Sequence, residues 1–181
     1  MMPIPINNNK RNPLLNWEIN PQRNWKVNPE KSWRINPARN WEINPQRNWE
    51  INPQRNWQIN PQRNWQINPQ RNWQINPQRN WQIDPQKNYV IDPYRSNDIS
   101  GYYVCSVENC DCCYYTVHTN TQGLMLIFNA NKEFCCFAVS ALTTFAVFSS
   151  LDLSYLGFMC PNDQGGYNWF TKEGLWSWFL T

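Results

Sequence analysis

Histidine and glycine are scarce in this sequence, and the first hundred residues contain neither. The only histidine is His118, and all six glycines lie after residue 100. Because residues 1–100 contain no histidine, they cannot bind copper through histidine side chains. No P-loop, dinucleotide-binding fingerprint or His-Glu-x-x-His motif is present, so the sequence shows no recognised catalytic motif.

The N-terminal residues MMPIPINNNKRNP lack the apolar segment of a secretory signal peptide. The seven cysteines are an odd number and include the adjacent pairs Cys112–Cys113 and Cys135–Cys136. Adjacent cysteines seldom bridge to each other, because the geometry is strained. We therefore predict reduced thiols in a cytoplasmic protein.

Composition and charge both change abruptly near residue 95. Thirteen of the fourteen prolines lie before residue 94, whereas all seven cysteines lie after residue 100. Residues 1–95 carry 14 Lys and Arg against 6 Asp and Glu, a net charge of +8, and residues 96–181 carry a net charge of −5. Such a shift is typical of a domain boundary. We predict a disordered leader over 1–15, ten repeats over 16–95 and a β domain over 96–181.

An eight-residue unit, Asn-Trp-x-Ile-Asn-Pro-x-Arg, recurs ten times between residues 16 and 95, with substitutions such as Val27, Ser32 and Tyr89 in four of the copies. Eight is not near a multiple of 3.6, and a proline in every unit would break an α-helix. Trp and Ile stand two apart, which places them on the same face of a strand. Asn-Pro is a common turn signal. Each octad is therefore predicted to form a short strand followed by a turn.

Two β architectures fit this pattern, a solenoid with 16 residues in each coil and a stack of hairpins that dimerises through its apolar face. An extended, disordered array is the alternative. In either β architecture the tryptophans and isoleucines form the repeat core. The predicted core residues are Trp17, Trp25, Trp33, Trp41, Trp49, Trp57, Trp65, Trp73, Trp81, Ile43, Ile51, Ile59, Ile67 and Ile75.

The same residues also have a functional interpretation. A Trp and an Arg in every octad could bind single-stranded nucleic acid, since aromatic faces stack on bases and Arg pairs with phosphates. The sequence favours the structural interpretation, in which Trp belongs to the core and Arg to a solvated edge. A stacking surface would not need an Ile beside each Trp.

The C-terminal part contains 18 uncharged residues, Phe134–Leu151, which is close to the length of a membrane span. A recurrence argues against a span, because aromatic pairs three apart return every 21 residues, each after an apolar pair and a polar turn. This pattern predicts β-hairpins that fold without the array. The predicted hairpin core is Phe134, Phe137, Tyr155, Phe158, Trp176 and Phe179.

Four such aromatic hairpins within residues 101–181 resemble the four-fold β-flower type of bacterial domain. The resemblance rests on spacing and aromatic pattern, and the cysteine-dense segment NCDCC of the first hairpin departs from it. It implies a small closed β domain and carries over no catalytic residue.

Cysteines and the single histidine are the remaining candidates for chemistry. Cys105, Cys110, Cys112 and Cys113 could bind a metal together with His118, but their spacing is not that of a zinc site. A Cys–His catalytic pair lacks any accompanying motif. We predict no catalytic, cofactor-binding or metal-binding residues, and thus an all-β, non-enzymatic scaffold that binds proteins or a second copy of itself. The alternative is single-stranded nucleic-acid binding, and neither a membrane nor a small-molecule substrate is expected.

Overall fold

The computed structural model describes residues 2–181. Short 3-10 turns follow one another up to residue 91, and eight β-strands follow from residue 103. The turns are Asn9–Arg11, Trp17–Ile19, Trp25–Val27, Trp33–Ile35, Trp41–Ile43, Trp49–Ile51, Trp57–Ile59, Trp65–Ile67, Trp73–Ile75, Trp81–Ile83 and Tyr89–Ile91. The strands are β1 Tyr103–Ser106, β2 Cys112–His118, β3 Leu124–Asn129, β4 Phe134–Ala141, β5 Thr144–Ser149, β6 Tyr155–Pro161, β7 Tyr167–Thr171 and β8 Trp176–Leu180.

The octads are therefore not strands, and the predictions of a β-solenoid or a hairpin stack over residues 16–95 are wrong. Each octad satisfies its backbone by two successive local turns. In one octad the N–H of Asn76 donates to the carbonyl of Trp73 at 3.2 Å, and the N–H groups of Arg79 and Asn80 both donate to the carbonyl of Asn76. These local bonds occupy the groups that a strand ladder would need.

Asparagine side chains join most octads to the one before, and the octad that begins at Ser32 is the exception. The Oδ1 of Asn72 accepts a hydrogen bond from the N–H of Gln74 at 3.1 Å, which caps the 3-10 turn. Its Nδ2 donates to the carbonyl of Gln66 in the preceding octad at 2.8 Å. A carboxylate could cap but could not donate, and an alanine could do neither. The recurring Asn before Trp thus explains how the array holds its shape without a ladder.

The C-terminal part forms a closed antiparallel barrel in which each strand pairs with its neighbours in sequence and β8 pairs with β1. This confirms a closed β domain. Its ladders are bulged in four places, at Val104/Cys105, Ile127/Phe128, Val147/Phe148 and Trp169/Phe170. The uncharged segment forms β4, β5 and their turn, and no helix of residues 2–181 is long and apolar enough to cross a membrane.

Side chains of non-adjacent strands identify the interior of the barrel. Tyr114 on β2 packs edge-on against Trp178 on β8, with ring centroids 5.2 Å apart, although β1 lies between the two strands. The same face contributes the buried cluster of Val104, Met125, Ile127, Ala138, Val147, Met159, Trp169 and Leu180. The alternate residues of the strands therefore point outward.

The octads surround this outer face. Glutamine side chains of four octads donate to backbone carbonyls in four different turns of the barrel. These bonds join Gln22 to Val107 and Glu108, Gln46 to Lys172, Gln70 to Leu151, and Gln86 to Lys132. The turns connect β1–β2, β7–β8, β5–β6 and β3–β4, so residues 16–95 run around the barrel in one circuit. We call residues 16–95 the belt.

The two ends of the circuit meet at a cluster around Arg11. Its guanidinium lies 2.9 Å from the carboxylate of Asp98 and donates to the carbonyls of Ile99, Gly101 and Thr181. The N–H of Ile4 also donates to the carbonyl of Cys112. The leader over 1–15, predicted to be disordered, is thus ordered from residue 2 onward, because it closes the belt.

Belt and barrel share one hydrophobic core. Ile51, Ile59, Ile67 and Ile75 belong to the same buried cluster as outward-facing residues of the barrel, including Phe128, Phe137, Phe148 and Phe179. Ile43 packs in a neighbouring cluster with Phe158, Cys160 and Phe170. The octads that contain Ile43 to Ile83 therefore each contribute an isoleucine to the packing against the barrel wall, and the proline of every octad is buried.

Asp92 fixes the last octad to the barrel. Its buried Oδ2 lies 2.5 Å from the Nζ of Lys132 and 2.6 Å from the Nε of Arg95. Burial alone would raise the pKa of Asp92, but hydrogen bonds from Lys132, the Tyr94 backbone and Arg95 together lower it. Since the folded pKa is lowered, the ion pairs stabilise the fold above the unfolded pKa of about 3.8 and are lost as the pH falls through the folded value.

We expect Asp92→Asn to lower the melting temperature at neutral pH, because it leaves Lys132 and Arg95 without their shared anion. It should also reduce the loss of stability on acidification, measured by thermal denaturation from pH 7 to pH 3. Asp84→Asn is the matched control, since Asp84 holds the equivalent place in the previous octad and forms none of the ion pairs found among residues 2–181. Equal effects of the two substitutions would contradict this role of Asp92.

Candidate binding surface

The tryptophans of the belt face solvent. Between 50% and 59% of each of the nine side chains is exposed, and Tyr89, in the equivalent place of the last octad, is 64% exposed. The structure thus places Trp17, Trp25, Trp33, Trp41, Trp49, Trp57, Trp65, Trp73 and Trp81 outside the core to which the sequence assigned them. The predicted core isoleucines are at most 9% exposed.

The difference follows from the type of turn. A strand places residues two apart on one face, whereas a 3-10 helix with three residues per turn rotates them by about 240°. Trp and Ile therefore diverge, and the isoleucine points to the barrel while the indole points away from it. Sequence spacing alone could not separate these cases, because Trp-x-Ile is compatible with both.

A groove lies between two consecutive octads. It has a volume of about 440 Å³ and is lined by Trp49, Glu50, Arg55 and Trp57, with Leu142 of the β4–β5 turn at its barrel side. Two indoles and a guanidinium thus line one cleft. Such a cleft can stack a planar ring and pair with an anion next to it.

Arginines accompany the indoles around much of the belt. Arg55, Arg63, Arg71 and Arg79 each stand two residues before a tryptophan, and all four are exposed. None of these four forms an ion pair with another residue in the part of the chain that the structure describes. Their charge is thus available to a ligand.

The predicted hairpin core divides into two groups. Phe137, Phe158 and Phe179 are at most 3% exposed and lie on the outer face of the barrel, beneath the belt. The other three are partly buried against the same two clusters, and they are Phe134, Tyr155 and Trp176. All six contribute to packing between barrel and belt.

The cysteines show one disulfide, between Cys105 of β1 and Cys112 of β2. The prediction that all thiols are reduced is therefore wrong for this pair, which strand pairing brings together. Burial raises the pKa of the Cys110 thiol, and it raises that of Cys136 to about 12. These buried thiols stay protonated near neutral pH, which is the opposite of an activated nucleophile.

His118 lies on the barrel with its ring edge-on to Tyr102, at a centroid distance of 6.0 Å. Among residues 2–181 no group of three or more His, Cys, Asp or Glu side chains is placed to hold a metal ion. The surface with the clearest chemical character in this structure is thus the outward face of the belt.

Comparison with known proteins gives no relative from which to transfer a function: no family model, curated protein or solved structure matches the chain. The function has to be inferred from the geometry of the belt itself.

Proposed function

We propose that this protein is a non-enzymatic binding module whose belt holds single-stranded nucleic acid on its outward tryptophans and arginines. The observation that supports the proposal is the exposure of every belt tryptophan, at 50–59% of its surface. A tryptophan needed for the core would be covered, as the isoleucines are.

The fold itself does not require these indoles to be tryptophan. Isoleucine and proline supply the inward contacts of each octad, and the asparagines supply its hydrogen bonds. Scattered exposed hydrophobic residues are ordinary, but here an exposed aromatic side chain recurs at the same position in all ten octads. The regular recurrence favours a ligand that itself repeats.

The charge of the belt favours a phosphate polymer among such ligands. Residues 1–95 carry a net charge of +8. Proteins that bind single strands without sequence preference combine a positively charged track with aromatic rings on which the bases stack. The alternating indoles and guanidinium groups of the belt supply both parts. In this proposal the closed barrel, whose aromatic hairpins resemble in sequence those of a four-fold β-flower domain, is the rigid support.

The test is a triple substitution, Trp57→Ala with Trp65→Ala and Trp73→Ala. We expect the fold to be retained with a lower melting temperature, because each indole is about half covered. The affinity for a labelled oligothymidylate of about 20 nucleotides should fall at least about 100-fold, since each stacked base contributes about 1–3 kcal/mol. Fluorescence anisotropy gives the affinity, and quenching of Trp emission reports the stacking directly.

The matched control replaces the neighbouring glutamines, Gln58, Gln66 and Gln74, by alanine in one chain. These side chains are also exposed, so their loss controls for surface change in the same three octads. Absence of oligonucleotide binding by the unaltered protein would refute the proposal. Trp-dependent dimerisation in its place would indicate a protein-binding scaffold whose partner is a second copy.

A further inference from the structure

We infer that the nucleic acid binds along only one arc of the belt, from Arg55 to Trp81. The octads that precede this arc border the binding site and are not part of it. The inference rests on the proposed function and adds where the strand lies and how many phosphates are held. We call residues 51–83 the acid-free arc.

Charge separates this arc from the rest of the belt. Residues 51–83 contain four arginines and no lysine, aspartate or glutamate. Residues 16–50 contain six basic residues and four glutamates, and Asp84 and Asp92 follow the arc. The arc thus carries a net charge of +4 with no carboxylate, against a net +2 with four carboxylates for residues 16–50. A phosphate polymer therefore meets positive charge without a neighbouring acid only along the arc.

For phosphate binding, the position of the acidic residues matters more than their number. In the acid-free arc the residue directly after each tryptophan is glutamine, at Gln58, Gln66, Gln74 and Gln82, and all four are exposed. Among the five earlier octads the same position is glutamate in three, at Glu18, Glu42 and Glu50, and the other two have Lys26 and Arg34. A carboxylate beside the indole repels a phosphate at a distance well within the screening length of physiological salt.

The groove between Trp49 and Trp57 marks the junction of the two regions. Glu50 and Arg55 both line its cleft of about 440 Å³. A base stacked on Trp57 can place its phosphate toward Arg55, whereas continuation toward Trp49 would bring the next phosphate to Glu50. The bound nucleic-acid strand thus ends in this groove.

The subsites along the arc are chemically equivalent. Residues 56–79 are three identical copies of Asn-Trp-Gln-Ile-Asn-Pro-Gln-Arg, and Trp57, Trp65 and Trp73 differ by no more than three percentage points in exposure. Equivalent subsites distinguish no base from another. Binding is therefore expected to be independent of sequence, with one phosphate contact for each of the four arginines.

The experiment uses the full chain and a labelled oligothymidylate of about 20 nucleotides. With four phosphate contacts, the logarithm of the binding constant should fall with the logarithm of salt concentration at a slope of about −3. The triple variant Gln58→Glu, Gln66→Glu, Gln74→Glu should weaken binding at least about 10-fold at low salt and flatten this slope, with an unchanged melting temperature.

A second pair of variants locates the site. Trp17→Ala with Trp25→Ala and Trp41→Ala, outside the arc, should leave the affinity within about two-fold, whereas the triple alanine variant of Trp57, Trp65 and Trp73 loses it. Equal losses from the two triple variants would overturn the arc while leaving binding by the belt intact. Failure of the unaltered chain to bind would instead overturn the proposed function. An unchanged affinity of the glutamate variant would also reject the arc.

Discussion

Residues 96–181 expressed without the belt should not yield a soluble, cooperatively folded barrel. The outer face of the barrel is apolar, and Phe128, Phe137, Phe148 and Phe179 are buried in the cluster that the belt isoleucines complete. Burial of one such side chain stabilises a fold by about 1.5–3 kcal/mol, and a domain of this size is stable by only about 5–15 kcal/mol in total. Exposing several of them removes a large part of the stability.

The measurement is thermal denaturation with size-exclusion chromatography and binding of a dye that reports exposed hydrophobic surface. We expect aggregation and strong dye binding for residues 96–181 alone, and recovery when residues 1–95 are co-expressed as a separate chain. A monomeric fragment with a sharp melting transition would show that the barrel folds by itself, as the hairpin pattern of the sequence first indicated.

Much of the organisation can be predicted from the sequence, because it depends on local signals. The boundary near residue 95 follows from where proline and cysteine occur, and the β-hairpins follow from aromatic pairs at 21-residue intervals. That the hairpins close was implied only by the resemblance to the β-flower type of domain, and the structure shows a closed barrel. The isoleucines assigned to the repeat core are buried, as expected for an aliphatic residue that recurs every eight positions.

The turn type and the placement of the indoles could not be predicted in the same way. Trp-x-Ile followed by Asn-Pro fits a strand and a turn as well as a 3-10 turn and a second turn. The type of turn is determined by asparagine side chains that bond to the preceding octad, such as Asn72 to Gln66. It also depends on packing against the barrel, which is distant in sequence. The signal available in the sequence was Asn before Pro in eight of the ten octads, with Asp84 and Asp92 in the last two, and the near-invariable Asn before Trp.

Contacts between belt and barrel depend on pairings that no local pattern contains. The octad pattern assigns no partner to the glutamine after each proline, yet Gln22 and Gln70 donate to turns of the barrel. The disulfide between Cys105 and Cys112 likewise depends on the register of β1 and β2. Adjacent and odd-numbered cysteines argued against bridging only while that register was unknown.

Two substitutions within the 3-10 turn Trp73–Ile75 distinguish a residue that stabilises the fold from one that binds the ligand. Ile75 is fully buried, and Trp73, two residues earlier, is 51% exposed. Ile75→Ala leaves a cavity between belt and barrel and should lower the free energy of unfolding by about 2–5 kcal/mol. Trp73→Ala removes a side chain that is only half covered and should lower that free energy less, by about 1 kcal/mol.

Urea denaturation followed by circular dichroism measures both changes, and oligonucleotide affinity is measured on the same samples at a temperature where both variants are folded. Ile75→Ala should bind almost as tightly as the unaltered chain, whereas Trp73→Ala should bind more weakly by about 1–3 kcal/mol, the contribution of one stacked base. Loss of stability from Trp73→Ala comparable to that from Ile75→Ala would mean that the indole supports the belt. The opposite effects that we expect follow from the 3-10 turn, which directs two residues of one octad to a core and to a ligand.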